Sequence, residues 1–156
     1  MRTDNAVPPR TFDYVGLHRY SLTFYTDRRR HLFSNPGAVA LVLKQISRAA
    51  IEHRFAVIAY CFMPDCVHLL IEGQSDLSDG KRFISRAKQY SGFYYSKAYR
   101  HTLWQRHGLE RVLQEDEPTL RAARDVLENP VRAGLVQRVQ DYPFLGSLTY
   151  SLDQLL

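Results

Sequence analysis

The chain has 156 residues, of which 45% are hydrophobic, and this size and composition predict one domain with a core of ordinary size. Two cysteines, Cys61 and Cys66, make no disulfide framework. No apolar run approaches the roughly 20 residues that cross a membrane, and the start lacks the apolar stretch of a secretory signal. With neither of these apolar segments, we expect a cytoplasmic protein with no membrane partner. A formal charge of +5 with a pI of about 9.4 favours polyanionic partners.

Hydrophobic periodicity divides the chain into strands and helices. Residues 1–13 are polar and contain proline, which predicts a flexible N-terminal arm ahead of a single domain at residues 14–150. Asn35 precedes the Pro-Gly pair that opens the first helix, and Asp116 or Glu117 is expected to cap the last one. In chain order, the predicted elements are a strand at 19–26, a basic turn at 27–31, a helix at 35–53, strands at 55–63 and 66–72, a helix at 78–99, a loop at 103–105, a short strand at 108–113 and a helix ending near residue 128.

The order β-α-β-β-α-β-α predicts a ferredoxin-like α+β sandwich, in which an antiparallel sheet carries helices on one face. The apolar run at 55–63 is typical of a central strand, and Pro64-Asp65 predicts a tight turn into the next strand. Side chains along that next strand alternate between the two faces of the sheet. One face takes Val67, Leu69 and Ile71, and the other takes Cys66, His68, Leu70 and Glu72.

Cys66 and His68 are a candidate metal-binding pair. Their one-residue spacing places both side chains on the same side of a strand, where they can share one ion. The plainer alternative is a buried cysteine beside a hydrogen-bonded core histidine. If the pair does bind a metal, the soft thiolate favours zinc over magnesium or manganese, which prefer oxygen ligands.

Positive charge is concentrated between Lys81 and Arg111. Eight Lys or Arg stand against one acid there, so this segment is net +7 and the rest of the chain is about −2. On the 78–99 helix, Phe83, Ala87, Tyr90 and Tyr94 share the face expected to meet the core. Basic and aromatic side chains follow a second face, namely Arg82, Arg86, Gln89, Phe93, Lys97 and Arg100.

A basic face with interleaved rings suits single-stranded nucleic acid, because cations track phosphates and rings stack on bases. An ordinary solvated helix face is the alternative. The run Arg28-Arg29-Arg30 and Arg106 are further candidate phosphate contacts.

Several sequence blocks resemble the single-tyrosine HUH transposases, and among them the REP-associated tyrosine transposases. The resemblance covers most of residues 15–147, with its blocks in the family's order. The matching blocks are Tyr20-Ser21-Leu22-Thr23-Phe24, then Met63-Pro64-Asp65-Cys66-Val67-His68-Leu69-Leu70, then Leu103-Trp104-Gln105-Arg106, then residues 127–136 around Asn129-Pro130-Val131, and Asp141-Tyr142-Pro143.

The resemblance implies a metal-assisted DNA transposase, and two residues depart from its catalytic pattern. Two strand histidines of the family hold a divalent ion, and here Cys66 replaces one while His68 remains. The family's nucleophilic tyrosine corresponds to Asp125, and Asn129 matches a polar residue that often completes the metal site. The implied cofactor is magnesium or manganese, with zinc as the option that Cys66 favours, or none if the site is degenerate.

We therefore expect a transposase-family protein that binds hairpin or other single-stranded DNA, with cleavage and strand transfer impaired or lost. A carboxylate at position 125 is a poor replacement for a phenol, because it is already anionic and is repelled by the phosphate. Three alternatives stay open: an active nuclease with a rearranged site, a zinc module using Cys66, His68, Asp125 and Asn129, and a module that binds only proteins. A homodimer is also compatible with the sequence.

Overall fold

The computed structural model describes residues 12–156 of the chain. Apart from Phe12 and Asp13, the predicted N-terminal arm lies outside the described residues. The ring of Phe12 packs edge-on against Tyr14, with the two ring centroids 4.9 Å apart. The elements are β1 Arg19–Tyr25, α1 Pro36–His53, β2 Phe55–Met63, β3 Cys66–Gly73, α2 Gly80–Tyr99, β4 Leu109–Val112, α3 Thr119–Leu127, α4 Asn129–Arg132, β5 Leu145–Gly146 and α5 Leu152–Leu155, with 3-10 turns at Asp27–Arg29, Leu32–Ser34 and Val139–Asp141.

The five strands form one sheet in the order β4-β1-β3-β2-β5, and each neighbouring pair is antiparallel. The first four strands have the order expected of a ferredoxin-like fold, so the predicted α+β class is confirmed. β3 lies in the middle of the sheet, paired with β1 from Arg19↔Glu72 to Tyr25↔Cys66. The two edge strands are short.

The sheet is covered on both faces, which differs from the prediction of helices on one face. Helices α1 and α2 pack on the face that carries Val67 and Leu69, as expected. The opposite face carries Leu70 and packs against α3 and the C-terminal segment, including the buried Leu155. Alternation along β3 supplies apolar side chains to both faces, and the amphipathic α3 has its own apolar face to bury.

The helix ends follow local chemistry that was only partly predictable. Asn35 caps α1, since its side chain accepts a hydrogen bond from the backbone N–H of Gly37 at 2.9 Å. The predicted cap of α3 by Asp116 or Glu117 is wrong, because the N-cap residue is Pro118. The Glu117 carboxylate is used elsewhere, accepting hydrogen bonds from Arg111 at 2.8 and 3.0 Å.

The buried residues of α2 are Gly80, Phe83, Ala87, Ser91 and Tyr95. Tyr94 was predicted to belong to the core, but its side chain is exposed. Within residues 12–156, no helix is both long and apolar enough to cross a membrane.

Candidate functional site

Cys66 and His68 lie side by side at the start of β3. The Sγ atom of Cys66 is 3.5 Å from Nε2 of His68, and Nδ1 of His68 is 3.0 Å from Oγ1 of Thr23. Thr23 lies directly opposite His68 across the β1–β3 pairing, which explains the contact. Both nitrogens of the imidazole therefore have a partner within the protein.

Burial keeps this pair uncharged at neutral pH. Burial and, to a smaller extent, the nearby positive charge of Arg132 together lower the pKa of His68 to about 4. Burial and the Asp65 carboxylate together raise the pKa of the Cys66 thiol to about 12. The pair is thus a neutral imidazole beside a neutral thiol, although metal ligation by cysteine requires the thiolate.

The basic turn after β1 lies next to this pair. Arg29 forms an ion pair with Asp65 at 2.9 Å, and its guanidinium lies 4.3 Å from the centre of the Tyr25 ring. Arg28 and Arg29 have positive φ values of 55° and 56°, which fold the turn tightly against the strand end. The turn is thus anchored to the residue that immediately precedes Cys66.

Asp125 and Asn129 lie at the end of α3 and its junction with α4. The Asn129 side-chain amide donates hydrogen bonds to the backbone carbonyls of Asp125 at 3.2 Å and Val126 at 2.9 Å. Arg132 donates to the same Asp125 carbonyl. Asn129 therefore serves to close the end of α3, while the Asp125 side chain is exposed.

The structure does not gather the four predicted metal ligands into one group. Cys66 and His68 are adjacent, but within residues 12–156 no three His, Cys, Asp or Glu side chains are arranged to hold a metal ion. The carboxylate that acts on the pKa of His68 is that of Asp65, a residue that the sequence predicted only as part of the tight turn before β3.

Three further residues near the pair were missed from the sequence. Thr23 on β1 contacts His68, and Arg132 on α4 is near enough to act on its pKa. No local sequence pattern predicts such long-range neighbours. Tyr142 lies close enough to Cys66 for the thiol to influence its pKa, which burial raises to about 12. The Tyr142 hydroxyl donates a hydrogen bond of 2.6 Å to the Phe62 carbonyl.

The eight predicted DNA-contacting residues are all exposed. They fall into three groups, namely Arg28, Arg29 and Arg30 in the turn beside Cys66, Arg82, Arg86, Lys97 and Arg100 on α2, and Arg106 at the rim of a cavity of about 190 Å³ between β1, α2 and β4.

Comparison with known proteins identifies the family of this fold and site. The family model described as "Transposase IS200 like" matches residues 14–111, which is well over half of the chain. The chain therefore belongs to the IS200-like transposase family. The matched range contains Cys66, His68 and α2, and it ends before Asp125 and Asn129.

Two solved structures share the fold at low sequence identity. A REP-associated tyrosine transposase bound to a REP hairpin has a TM-score of 0.72 at 18% identity, covering 90% of this chain and 82% of that chain. A candidate transposase from Deinococcus radiodurans R1 has a TM-score of 0.54 at 20% identity, covering 87% of this chain and 97% of that chain. These matches confirm the α+β fold. No curated protein matches the sequence significantly.

Proposed function

We propose that this protein binds hairpin or other structured single-stranded DNA and that its tyrosine-dependent cleavage is impaired or lost. The observation that carries this proposal is geometric: Cys66 and His68 lie 3.5 Å apart, and within residues 12–156 no third His, Cys, Asp or Glu side chain is arranged with them to hold a metal ion. The basic turn beside the pair supports DNA binding, and the similar REP-associated transposase was solved with a hairpin.

The donor set does not fit the magnesium or manganese that the family implies. Hard divalent ions take oxygen ligands in octahedral geometry, whereas this site offers a thiol and one imidazole whose nitrogens are both engaged. Zinc suits the two donors better, yet a structural zinc site needs four ligands. The Asp125 side chain is not grouped with the pair, and the Asn129 amide is held by α3 backbone carbonyls.

The tyrosines of α2 are badly placed to replace the nucleophilic tyrosine that the family has at the position of Asp125. Tyr90, Tyr94, Tyr95 and Tyr99 belong to α2, which packs on the sheet face opposite to His68. Two other tyrosines, Tyr25 and Tyr142, lie near Cys66. Their proximity is the observation that favours an active nuclease with a rearranged site. Both have raised pKa values through burial, which disfavours the phenolate needed for attack.

A cleavage assay separates the binding protein from an active nuclease. The chain is incubated with a labelled hairpin oligonucleotide and magnesium, manganese or zinc, and a denaturing gel detects covalent adducts. We expect binding without an adduct. A covalent adduct formed by the unaltered chain would contradict the proposal, and loss of that adduct in Tyr25→Phe or Tyr142→Phe would identify the nucleophile.

The zinc module is tested on the same preparation. Stoichiometric zinc with no hairpin binding would favour that module, whereas affinity that falls as salt rises indicates phosphate contacts. Light scattering of the free and DNA-bound protein measures whether the homodimer forms. A cytoplasmic location is part of the proposal, with DNA as the partner.

A further inference from the structure

Four side chains with soft metal-binding atoms lie together on the α3 side of the sheet. Cys61 on β2 lies directly opposite His68 on β3. Two residues along, Met63 lies opposite Cys66. Side chains that oppose each other in an antiparallel pair share one face, with Cβ atoms about 5 Å apart. These four residues, which we call the soft-donor patch, offer three sulfur atoms and one imidazole.

The His68 ring is oriented so that its Nε2 atom faces the Cys66 sulfur. Nδ1 of the ring lies 3.0 Å from Oγ1 of Thr23, and Nε2 lies 3.5 Å from Sγ of Cys66. A histidine that binds a metal through one nitrogen donates the N–H of the other to a fixed acceptor. Thr23 can accept that N–H. The partner of Nε2 is the thiol itself, so an ion that replaces the thiol proton would lie between the two ligands.

Charge balance at this buried position favours a monovalent ion. Cys66 is only 5% exposed, and a net charge is costly where water is excluded. A divalent ion on one thiolate would leave a positive charge, whereas a monovalent ion and the thiolate cancel each other. Within residues 12–156, no further His, Cys, Asp or Glu is arranged to neutralise a divalent ion or to complete its coordination. The pair therefore suits an ion of single charge and low coordination number.

We propose that Cys66 and His68 bind one Cu(I) ion, with the thioether of Met63 as a third ligand. Thiolate and thioether sulfur are ligands that select Cu(I), and imidazole also binds copper. Met63 is half-buried opposite Cys66, and its unbranched side chain can turn the sulfur toward an ion held there. The donor set that disfavours the family's hard divalent ions is thus one that a soft monovalent ion prefers.

Binding is an exchange of the thiol proton for the ion. The S–H bond of Cys66 breaks, an S–Cu bond forms and the proton leaves to solvent, so one proton is released for each ion bound. No electron is transferred, because copper enters as Cu(I). Burial opposes a bare thiolate, but it does not oppose a thiolate whose charge the bound ion cancels. None of these steps involves DNA, so the site is independent of the proposed function.

The test measures Cu(I) binding to the full chain in reducing, oxygen-free buffer. A coloured Cu(I) chelator competes with the protein, and its loss of colour gives the number of ions bound and their affinity. We expect one ion per chain and a higher melting temperature in its presence. Mn(II) and Zn(II) should not bind at concentrations at which Cu(I) saturates the site. Ag(I), which has the same charge and also prefers sulfur, should bind in the same ratio in chloride-free buffer.

Substitutions within the soft-donor patch identify the ligands. Cys66→Ser and His68→Gln should each weaken Cu(I) binding by about a hundredfold or more, since loss of a residue that only orients a ligand already costs about ten- to a hundredfold. Met63→Leu removes the thioether at similar volume and should weaken binding less than either. Cys61→Ala is the matched control, because it removes the other buried thiol and should leave Cu(I) affinity unchanged.

Nitrogen NMR of His68 gives a second signature, which a change in fold stability alone would not produce. Ag(I) or Cu(I) should shift the resonance of Nε2, while Nδ1 stays protonated and bonded to Thr23. Thr23→Val should weaken Cu(I) binding by roughly tenfold, because the ring loses the partner that orients it. Circular dichroism verifies that each variant is folded.

The outcomes separate this site from the hairpin-binding proposal. No uptake of Cu(I) by the unaltered chain, or an equal loss of affinity in Cys61→Ala and Cys66→Ser, would overturn the inference. Equal affinity for Zn(II) would also overturn it, in favour of the zinc module. Hairpin binding without Cu(I) uptake would refute this site alone, and Cu(I) uptake without hairpin binding would refute the proposed function alone.

Discussion

Protonation of His68 should destabilise the fold in mildly acidic solution. The pKa of His68 is lowered to about 4 in the folded protein because its ring is buried and Arg132 is nearby, whereas an unfolded histidine has a pKa of about 6.5. Below pH 6.5 the unfolded chain takes up a proton that the folded chain does not. Stability is therefore complete above pH 6.5 and falls as the pH decreases toward 4.

The size of the effect follows from the two pKa values. Between pH 7.5 and pH 5 the linkage relation gives a loss of about 2 kcal/mol in the free energy of unfolding, and at still lower pH the loss approaches about 3 kcal/mol. Urea denaturation at the two pH values measures this loss directly. Other titrating groups contribute too, so the quantity of interest is the difference between the unaltered chain and His68→Gln.

His68→Gln keeps a polar side chain at the site but cannot titrate, so its stability should lose about 2 kcal/mol less than the unaltered chain between the two pH values. His107→Gln, at an exposed position, should behave like the unaltered chain. Equal pH dependence in all three proteins, or a His68 ring that titrates near pH 6.5 by NMR, would refute the reasoning.

Three more predictions concern packing and thiol chemistry. Arg111→Met should lower the free energy of unfolding in urea by about 2 kcal/mol, because Glu117 would lose two charge-assisted hydrogen bonds at a pair whose side chains are only 15% and 14% exposed. Gly108→Ala should lower it by about 2 kcal/mol or more, since a Cβ there would lie 2.2 Å from the Thr23 carbonyl oxygen. The comparison is Gly92→Ala, whose Cβ would meet only the Trp104 ring at an ordinary 3.7 Å. Both cysteines should resist a thiol reagent at pH 8 until the chain is unfolded, because each is buried with a pKa raised to about 12, and rapid native labelling would contradict this.

Local periodicity predicted most of the fold. The start and end of α1 and the faces of β3 followed from side-chain alternation and from the Asn35 cap. The cap of α3 was predicted wrongly because Glu117 is drawn into an ion pair with Arg111, six residues away in the chain. A local capping rule does not weigh such competition between partners.

Less of the candidate site than of the fold could be predicted from the sequence. The adjacency of Cys66 and His68 follows from strand geometry, so it was predictable. The engagement of His68 by Thr23 and the anchoring of Arg29 by Asp65 depend on the pairing of β1 with β3 and on the folding of a turn. Burial, which sets the charge of the pair, is likewise a property of the assembled sheet.

The central position of β3 has a consequence for how this site can change over time. Strand β3 is held on both sides by long neighbours, so its backbone should rank among the slowest segments to exchange amide hydrogen. The backbone hydrogen bonds of the sheet fix the position of β3, and they do not depend on the side chains at positions 66 and 68. Single side chains on β3 can then be exchanged while the surrounding sheet persists, so Cys66→His should fold with His68 still in its place opposite Thr23.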